Sequence, residues 1–335
     1  MKLATPRWWY VRGARVSPVM RALLTPAAWI WDRATQRRLA ATIPQSPGAP
    51  VICVGNLTMG GTGKTPVVRA IADRLKAQGR EVQVLTRGYG GRLTGPVRVD
   101  PRRHTTVDVG YEALMLAAGT TVWVARDRLA GALAAAGAGA EIIVMDDGHQ
   151  NPAVAKALSL VVVDGETRND EWPFGDGRVF PAGPMREPLA RGLARADAVV
   201  ILLPADLEAP DPELMDALCV KPVLIARLAH TAPAPDGPQL GFAGVGKPWK
   251  VERALRAAGC DLKDFAAFPD HHVYSARDLA ALADRAAVFD AGLVTTEKDW
   301  VRLTADWRAR VTPWPVSARF EDEAALDALI AAKVA

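Results

Sequence analysis

The sequence predicts an α/β protein in which a mainly parallel β-sheet carries helices on both faces. A smaller C-terminal α/β lobe follows the sheet, and an amphipathic helix precedes it. Three observations support this prediction. Short β-branched runs alternate with helical stretches, which is typical of parallel sheets. A glycine-rich turn joins the first such run to a helix, and a proline-rich passage at 231–238 separates the main body from the smaller lobe.

The composition is that of a folded protein with a large core, because half of the 335 residues are apolar. The three cysteines, Cys53, Cys219 and Cys260, lie far apart and form no Cys-x-x-Cys or Cys/His cluster. Neither a disulfide framework nor a zinc site is therefore predicted. A reducing cytoplasm is the expected compartment.

The N-terminal arm, predicted over residues 1–45, is basic and rich in aromatic side chains. Residues 1–50 hold eight Lys or Arg against Asp32 alone, a net charge of +7, whereas the whole chain carries +4. The remaining 285 residues are therefore mildly acidic, at −3, and no nucleic-acid partner is predicted. The cationic residues are Lys2, Arg7, Arg12, Arg15, Arg21, Arg33, Arg37 and Arg38. The aromatic residues are Trp8, Trp9, Tyr10, Trp29 and Trp31.

An apolar run at 19–31 lies within this arm and predicts a helix in the headgroup region of a bilayer. We expect it to lie on the membrane and not to cross it, because Arg21 and Pro26 interrupt the run and it falls short of the roughly 20 apolar residues that span a bilayer. The alternative is an N-terminal helix that packs on the body, since tryptophans also fill protein cores.

The glycine-rich turn predicts a phosphate-binding loop. Its glycines free backbone N–H groups to face anionic oxygens, while Lys64 supplies a positive charge and Thr65 a hydroxyl for Mg²⁺. The strict pattern requires glycine at position 58, where this chain has threonine. An incidental glycine-rich turn is the alternative. The predicted nucleotide-binding residues are Thr58, Met59, Gly60, Gly61, Thr62, Gly63, Lys64 and Thr65.

The main domain is predicted over residues 46–230 and the smaller lobe over 231–335. After the run that precedes the loop, the predicted strands of the main domain are 81–86, 121–125, 141–145, 158–163 and 198–203. Those of the smaller lobe are 239–243, 291–295 and 311–316. Two lobes that face a cleft are the expected arrangement.

Two carboxylates, Asp146 and Asp147, end a strongly apolar strand. P-loop enzymes hold Mg²⁺ at such a position, and two acids at the tip of a buried strand are costly without a compensating cation. A plain turn is the alternative. Together with the loop at 58–65, the pair predicts a nucleotide and metal site.

In the smaller lobe, Asp270 precedes His271 and His272. A histidine with a near-neutral pKa can accept a proton from an attacking hydroxyl, and a neighbouring acid can orient it. A solvent-exposed pair of histidines is the alternative. Arginine-containing loops at 87–91, 126–128 and 181–188 follow strands and are expected near the ligand-binding edge of the sheet.

These motifs, taken together and in this order, make the chain closely resemble the tetraacyldisaccharide 4′-kinase family over nearly its full length. The resemblance rests on the ordered set 54–58, 60–65, 86–89, 146–148, 181–188, 268–271 and 295–299. It implies ATP and Mg²⁺ as cofactors and the 4′-hydroxyl of a tetraacyldisaccharide 1-phosphate, a lipid A precursor, as acceptor. It also implies a peripheral position on the cytoplasmic face of the bacterial inner membrane, docked through the arm. No obligate protein partner is expected.

The resemblance also implies roles for individual residues. Lys64, Thr65, Asp146, Asp147 and Glu187 are expected around the triphosphate and the metal. His271 is expected near the acceptor hydroxyl, and catalysis is expected to be an in-line transfer with the smaller lobe closing over the cleft.

Two departures from the family pattern bear on catalysis. Tyr111 stands where the family has the aspartate that pairs with the histidine, and a phenol with a reference pKa of about 10 cannot replace a carboxylate as an anion. Either Glu112, Asp108 or Asp270 then supports His271, or activity is reduced. His149 and Asn151 replace an apolar residue and a histidine. The predicted catalytic residues are His271, Asp270, Glu112 and Lys64.

Two alternative functions stay open on the sequence alone. One is a catalytically impaired nucleotide-binding membrane protein, which the departure at Tyr111 would explain. The other is a different P-loop transferase or ligase acting on a small acid, against which the basic, tryptophan-rich arm argues.

Overall fold

The computed structural model describes residues 6, 9–11, 18–168 and 170–334. Of the cationic and aromatic residues named for the basic arm, five lie outside this part of the chain: Lys2, Arg7, Trp8, Arg12 and Arg15. The described residues form two β-sheets, one of nine strands and one of four, with helices packed on them.

The strands follow one another along the chain and divide between the two sheets. They are β1 Val51–Gly55, β2 Val82–Thr86, β3 Val97–Arg98, β4 Thr121–Val124, β5 Ile142–Asp146, β6 Leu158–Asp164, β7 Ala198–Leu203, β8 Val223–His230, β9 Pro238–Ala243, β10 Asp261–Ala267, β11 Gly292–Thr296, β12 Val311–Trp314 and β13 Val316–Phe320. The large sheet has the order β13-β8-β7-β6-β1-β5-β2-β4-β3, and the small sheet β10-β9-β11-β12. Neighbouring strands run parallel except at the two edges of the large sheet, where β13 and β3 are antiparallel. The predicted parallel sheet is confirmed.

The helices lie between and around these strands. They are α1 Pro18–Ala41, α2 Lys64–Ala77, α3 Thr106–Val109, α4 Tyr111–Ala117, α5 Arg128–Gly137, α6 Leu189–Ala194, α7 Pro212–Leu218, α8 Pro248–Ala257, α9 Ala276–Ala287, α10 Glu297–Trp300, α11 Ala305–Arg308 and α12 Glu323–Val334. Successive side chains of a strand point to opposite faces. Ile52 of β1 therefore packs with α2, α4 and α12, whereas its neighbour Val51 packs with α5. Both faces of the sheet are covered, as the predicted fold requires.

The C-terminal segment differs from its predicted placement. The run at 311–316, predicted as one strand of the smaller lobe, forms two strands that belong to different sheets. Pro315 lies between the two strands, and the chain changes sheets there. β13 pairs with β8, and Leu326 of α12 joins the core of the large sheet. Residues 316–334 therefore pack with the main domain, although the predicted division assigned them to the lobe at 231–335.

Helix α1 both packs on the body and presents apolar side chains to solvent. Trp31 Nε1 donates to the Arg186 carbonyl over 3.1 Å, and Asp32 pairs with Arg191 at 2.9 Å. Leu23 and Trp29 are exposed by 73% and 62%. Among the described residues, none of the helices combines the length and apolar character needed to cross a bilayer.

Candidate active site

A cavity of about 1590 Å³ lies between the two sheets. On one side it is lined by residues at the carboxyl ends of β1, β2, β5, β6 and β7, which is where open α/β sheets bind ligands. On the other side its lining comes from the small-sheet lobe, including residues 245–247 and 269–271. The predicted cleft between two lobes is therefore present.

The glycine-rich loop connects β1 to α2 and turns sharply at its end. Gly63, the N-cap of α2, has a φ of +79°, a conformation that side chains with a Cβ rarely adopt. A Cβ at this position would lie 2.2 Å from Leu202 Cδ2. Lys64 and Thr65 consequently open the helix with their backbone N–H groups at its N-terminus, where anions bind.

Thr58 fits its position although the strict pattern has glycine there. Its backbone forms an antiparallel bridge with Met185, an extended conformation that needs no glycine. Its carbonyl accepts hydrogen bonds from Asn56 Nδ2 at 2.9 Å and Arg186 Nε at 3.0 Å. The next residue, Met59, donates its N–H to Pro184 O at 2.7 Å. The 181–188 loop thus holds the start of the phosphate-binding loop in place.

Lys64, Asp147 and Arg186 form a charged group beneath this loop. Lys64 Nζ lies 3.6 Å from Asp147 Oδ1, and Arg186 binds both oxygens of Asp147, at 2.8 Å and 3.2 Å. Burial opposes ionisation of Asp147, but the two cations outweigh it and hold the pKa of the carboxyl well below its usual range. Burial also lowers the pKa of Lys64. Asp147 is therefore an anion that positions Lys64.

Asp146 in the cavity lining and Glu187 behind it each have a buried carboxylate oxygen without a hydrogen-bond partner, and of the two only Asp146 lines the cavity. It is buried, with 3% of its surface exposed, and its Oδ1 has no hydrogen-bond partner. Burial, with a contribution from the charge of Glu112, raises its pKa to about 7. The buried hydroxyl of Thr62, in the loop above, also lacks a partner. Unpaired buried oxygens of this kind fit a hard divalent cation.

Within the described residues, no group of three or more His, Cys, Asp or Glu side chains is arranged to hold a metal ion. Mg²⁺ bound with a nucleotide does not need such a group, because it takes most of its ligands from phosphates and water and only one or two from the protein. Asp146 and Thr65 both line the cavity and match that smaller requirement.

Glu187 does not line the cavity. Its side chain is fully buried, and its Oε1 accepts from Gln150 Nε2 at 3.1 Å and Arg195 Nη2 at 2.6 Å. Adjacent residues of an extended segment point to opposite sides, so when Arg186 faces the cavity Glu187 faces the interior. The structure thus does not bring Glu187 to the cavity beside Asp146, where the sequence placed it.

On the acceptor side, three residues are linked in a row. Tyr111 Oη lies 3.1 Å from His271 Nδ1 and 3.2 Å from Glu112 Oε1. The other imidazole nitrogen, Nε2, lies 3.5 Å from Asp270 Oδ2. Tyr111 therefore contacts His271 at the place where the resemblance implies an aspartate. Of the three acids considered as its replacement, Glu112 and Asp270 lie near the histidine.

Burial sets the protonation states on this side. It lowers the pKa of His271, although Asp270 opposes the shift, and it raises the pKa of Tyr111 to about 12. Burial also opposes ionisation of Glu112, but Lys298, whose Nζ lies 2.9 Å from its Oε1, makes the net shift of that pKa downward. At neutral pH the site holds a neutral imidazole, a phenol and a carboxylate.

Three other polar residues considered from sequence have structural partners. Asp108 accepts from the Thr105 N–H and hydroxyl at the start of α3 and pairs with Arg92, so it does not support His271. His272 Nε2 lies 3.1 Å from Asp278 Oδ2. His149 is buried against Ser159 and the Gly192 carbonyl.

Sequence reasoning missed the cationic side of the acceptor site. Lys298 pairs with Glu112, and the Arg302 guanidinium lies 4.0 Å from the centre of the Tyr111 ring. Lys298 belongs to the short helix α10 and Arg302 follows it, and α10 begins within the run at 295–299 used for the family resemblance. The run at 295–299 was the feature of the sequence that could have pointed to these cations. Its spacing alone does not show that Lys298 pairs with Glu112.

Comparisons with known proteins identify the family of this chain. The sequence model of one family, LpxK, described as tetraacyldisaccharide-1-P 4′-kinase, matches residues 20–335. A tetraacyldisaccharide 4′-kinase from Phenylobacterium zucineum (strain HLK1) is 69% identical over 330 residues, which cover 98% of this chain and 99% of that relative. One from Caulobacter vibrioides (strain NA1000 / CB15N) is 66% identical and covers 98% of each chain.

Among solved structures, the "apo" form of LpxK from Aquifex aeolicus in complex with ATP has a TM-score of 0.73 and 25% identity to this chain. The match covers 94% of this chain and 100% of that one. It confirms the predicted fold class, and the relatives confirm the predicted class of enzyme, a kinase. Because the family model and these relatives extend over nearly all of the sequence, the chain belongs to the LpxK family of tetraacyldisaccharide-1-P 4′-kinases.

Proposed function

We propose that this chain transfers the γ-phosphate of ATP to the 4′-hydroxyl of a tetraacyldisaccharide 1-phosphate, the disaccharide precursor of lipid A. One observation carries the proposal: Lys64 of the phosphate-binding loop and the neutral imidazole of His271 line the same cavity from opposite lobes. The relatives' names give the acceptor, and the solved relative is described in complex with ATP.

The donor half of the cavity is proposed to bind the triphosphate. Backbone N–H groups from Gly60 to Thr65 face the anion at the N-terminus of α2, and Lys64 adds a positive charge. Asp147 and Arg186 keep Lys64 directed toward the phosphates through the ion pairs described above. Thr58 and Met59 tie the loop to the 181–188 segment, so they act through the position of the backbone.

Thr65 and Asp146 are the residues that would hold Mg²⁺. The unpaired Oδ1 of Asp146 supplies an anionic oxygen, and Thr65 supplies a hydroxyl. When bound, Mg²⁺ neutralises the charge that the phosphate oxygens carry during transfer. Because the carboxylate of Glu187 binds Gln150 and Arg195, we assign it a positioning role for the 181–188 loop.

The acceptor half is proposed to deprotonate the sugar hydroxyl. His271 accepts the proton as the 4′-oxygen attacks the γ-phosphorus, and ADP leaves on the opposite side. Asp270, 3.5 Å from Nε2, stabilises the imidazolium that results.

Transfer of radiolabelled γ-phosphate from ATP to purified tetraacyldisaccharide 1-phosphate tests this function. We expect product with the native chain and a loss of about 100-fold or more for His271→Ala, in line with general-base catalysis. Lys64→Ala should also lose activity, whereas Lys76→Ala, at the other end of the same helix and exposed on the surface, should keep it. No labelled lipid with the native, folded chain would contradict the proposal.

We propose further that α1 docks the protein on the cytoplasmic face of the inner membrane. Its large exposed apolar side chains include Val19, Met20, Leu23, Trp29, Ile30 and Trp31. Arginines of the same helix accompany them, and mixed apolar and cationic faces bind the interface of anionic bilayers.

Flotation with phosphatidylglycerol-containing vesicles tests the docking. We expect the native chain to float with the vesicles, and Leu23→Glu combined with Ile30→Glu to stay at the bottom of the gradient. Val288→Glu is the matched control, because Val288 is equally exposed, at 76%, but lies in the smaller lobe. Equal flotation of the native chain and the α1 variant would contradict the proposal.

A further inference from the structure

We infer that Tyr111 and Glu112 form a relay that fixes the tautomer of His271, so that Nδ1 carries the proton and Nε2 is free to act as the base. The inference rests on the proposed function, because it assigns positioning residues for the proposed base. It concerns a tyrosine that stands where the family resemblance implies an aspartate, and it explains how the site can work without that aspartate.

The hydroxyl of Tyr111 lies between His271 and Glu112 and has a single hydrogen to donate. A phenol has one O–H hydrogen, and Tyr111 Oη is within hydrogen-bond distance of both Glu112 Oε1, at 3.2 Å, and His271 Nδ1, at 3.1 Å. Only one of these two groups can receive that hydrogen. The other must face the lone pairs of the phenol oxygen.

Glu112 is the group that receives it. Its carboxylate pairs with Lys298 at 2.9 Å and is ionised, so it has no hydrogen of its own and can only accept. If Tyr111 donated to His271 instead, its lone pairs would face a negatively charged oxygen at 3.2 Å. A hydrogen bond to a charged acceptor is also the stronger of the two choices.

The orientation of the imidazole follows. Because the Tyr111 oxygen can then only accept from the histidine, Nδ1 must carry a hydrogen. In a neutral imidazole the other nitrogen, Nε2, is therefore bare. The row reads Nδ1–H to the phenol oxygen, and phenol O–H to the carboxylate. The buried phenol of Tyr111 has a pKa of about 12 and stays protonated throughout. It therefore orients the imidazole of His271 without losing its own proton.

The reaction step balances with these groups. The 4′-hydroxyl gives its proton to Nε2 while its oxygen forms a bond to the γ-phosphorus, and the bond from that phosphorus to the bridging oxygen of ADP breaks. The imidazolium then lies between two acceptors, Asp270 at Nε2 and Tyr111 at Nδ1. No further oxidant, reductant or co-reactant is needed.

Other groups around the histidine limit what else could play this part. The ring of Tyr89 lies 5.5 Å from that of the histidine and packs against it at an angle. Lys298 and Arg302 are cations that disfavour its protonated form, and the anions near it are Glu112 and Asp270. Asp270 Oδ2 lies 3.5 Å from Nε2, whereas Tyr111 Oη lies 3.1 Å from Nδ1, so the tyrosine makes the closer contact and sets the tautomer.

Nitrogen-15 NMR of the histidine side chains in the native protein tests the tautomer without any substrate, with His271→Gln to assign the signals. We expect a protonated Nδ1 and a bare Nε2 at neutral pH. Tyr111→Phe, which keeps the ring under Arg302 but removes the hydroxyl, should lose this preference. A native protein with the proton on Nε2 would overturn the inference.

Kinetics provide the second readout. For a positioning residue that acts through another we expect kcat to fall about 10- to 100-fold in Tyr111→Phe and in Glu112→Gln, with KM for ATP unchanged and an altered pH profile of kcat. Tyr111→Asp should retain activity, because a carboxylate can accept from Nδ1 directly. Native kcat and pH profile in Tyr111→Phe would overturn the inference.

The two proposals fail in different ways. If the native chain makes product and Tyr111→Phe keeps its kcat and pH profile, the relay fails, whereas the proposed kinase function stands. If the native chain makes no product but its His271 tautomer is as expected, the kinase function fails, whereas the relay stands as a structural feature. Circular dichroism of each variant confirms that it is folded.

Discussion

Arg186 binds both carboxylate oxygens of Asp147, through Nη1 to Oδ1 at 2.8 Å and Nη2 to Oδ2 at 3.2 Å. The same guanidinium donates through Nε to the carbonyl of Thr58 at 3.0 Å. One side chain therefore connects the acid that positions Lys64 to the first residue of the phosphate-binding loop. The planar fork of arginine suits this task, and the point charge of lysine does not.

We expect Arg186→Lys to raise KM for ATP by about tenfold or more, equivalent to about 1.4 kcal/mol of binding free energy. The reason is that a lysine keeps one charge but cannot hold Asp147 and Thr58 together. Arg178→Lys is the control, because Arg178 lies shortly before the 181–188 loop that contains Arg186 but pairs with Asp176 instead of Asp147. Steady-state kinetics with ATP as the varied substrate measure the effect, and equal KM values for the two variants would contradict the expectation.

The turn at Gly63 gives a prediction about stability. Gly63→Ala forces a Cβ into the left-handed region and against Leu202, so we expect it to lower the free energy of unfolding by about 1–3 kcal/mol. Gly61→Ala should change it by less than about 0.5 kcal/mol, because nothing lies within 4 Å of its added Cβ. Urea unfolding in the absence of nucleotide compares the two, and a stable Gly63→Ala protein would show that the turn can relax.

The packing of α12 on the large sheet gives a second stability prediction. Leu326 is fully buried in the core that α2 shares, so we expect Leu326→Ala to lower the free energy of unfolding by about 2–5 kcal/mol. Ala328→Ser, on the exposed side of the same helix, should be nearly neutral. Urea unfolding followed by circular dichroism measures both. A neutral Leu326→Ala would mean that α12 does not contribute to this core.

The buried His149 makes stability depend on pH. Burial, followed by the charge of Arg195, lowers its pKa from 6.5 to about 4. Because the unfolded chain binds a proton that the folded chain does not, its contribution is complete above pH 6.5 and is lost as pH falls toward 4. The loss is up to about 3 kcal/mol.

The variant His149→Leu isolates this contribution. We expect its free energy of unfolding to change less between pH 6.5 and pH 4.5 than that of the native chain. His230, with a pKa of about 4, titrates in the same range in both proteins and therefore cancels in the comparison. Ala328→Ser, which changes no titratable group, is the control and should follow the native pH dependence. Parallel curves for His149→Leu and the native chain would contradict the expectation.

Much of the donor site could be predicted from sequence because its residues are consecutive. The loop at 58–65 and the acids at 146 and 147 each follow a strand, and the carboxyl ends of parallel strands meet at one edge of a sheet. The predicted strands at 81–86, 121–125, 141–145, 158–163 and 198–203 each correspond to an observed one within a residue or so. Why threonine fits at position 58, where the strict pattern has glycine, is explained only by the bridge between Thr58 and Met185 in the structure.

The C-terminal segment and Glu187 could not be placed in the same way. Whether the strand after Pro315 stays in the small sheet or joins the large one depends on which sheet edge is free to pair. That edge is β8, a strand that was not predicted from the sequence. Glu187 follows Arg186 in the chain, but which of two adjacent side chains faces the cavity is set by the register of the Thr58–Met185 bridge.

The fold class, the phosphate-binding loop and the kinase family could be read from the sequence, because they depend on local patterns and on the order of motifs along the chain. How the proposed base is supported depends on contacts between distant parts of the chain. Tyr111 and His271 are 160 positions apart, and their contact arises only when the small-sheet lobe faces α4 across the cleft. The sequence showed that the expected aspartate is missing. The fold places the phenol of Tyr111 within hydrogen-bond distance of His271, and the carboxylate of Glu112 within hydrogen-bond distance of that phenol.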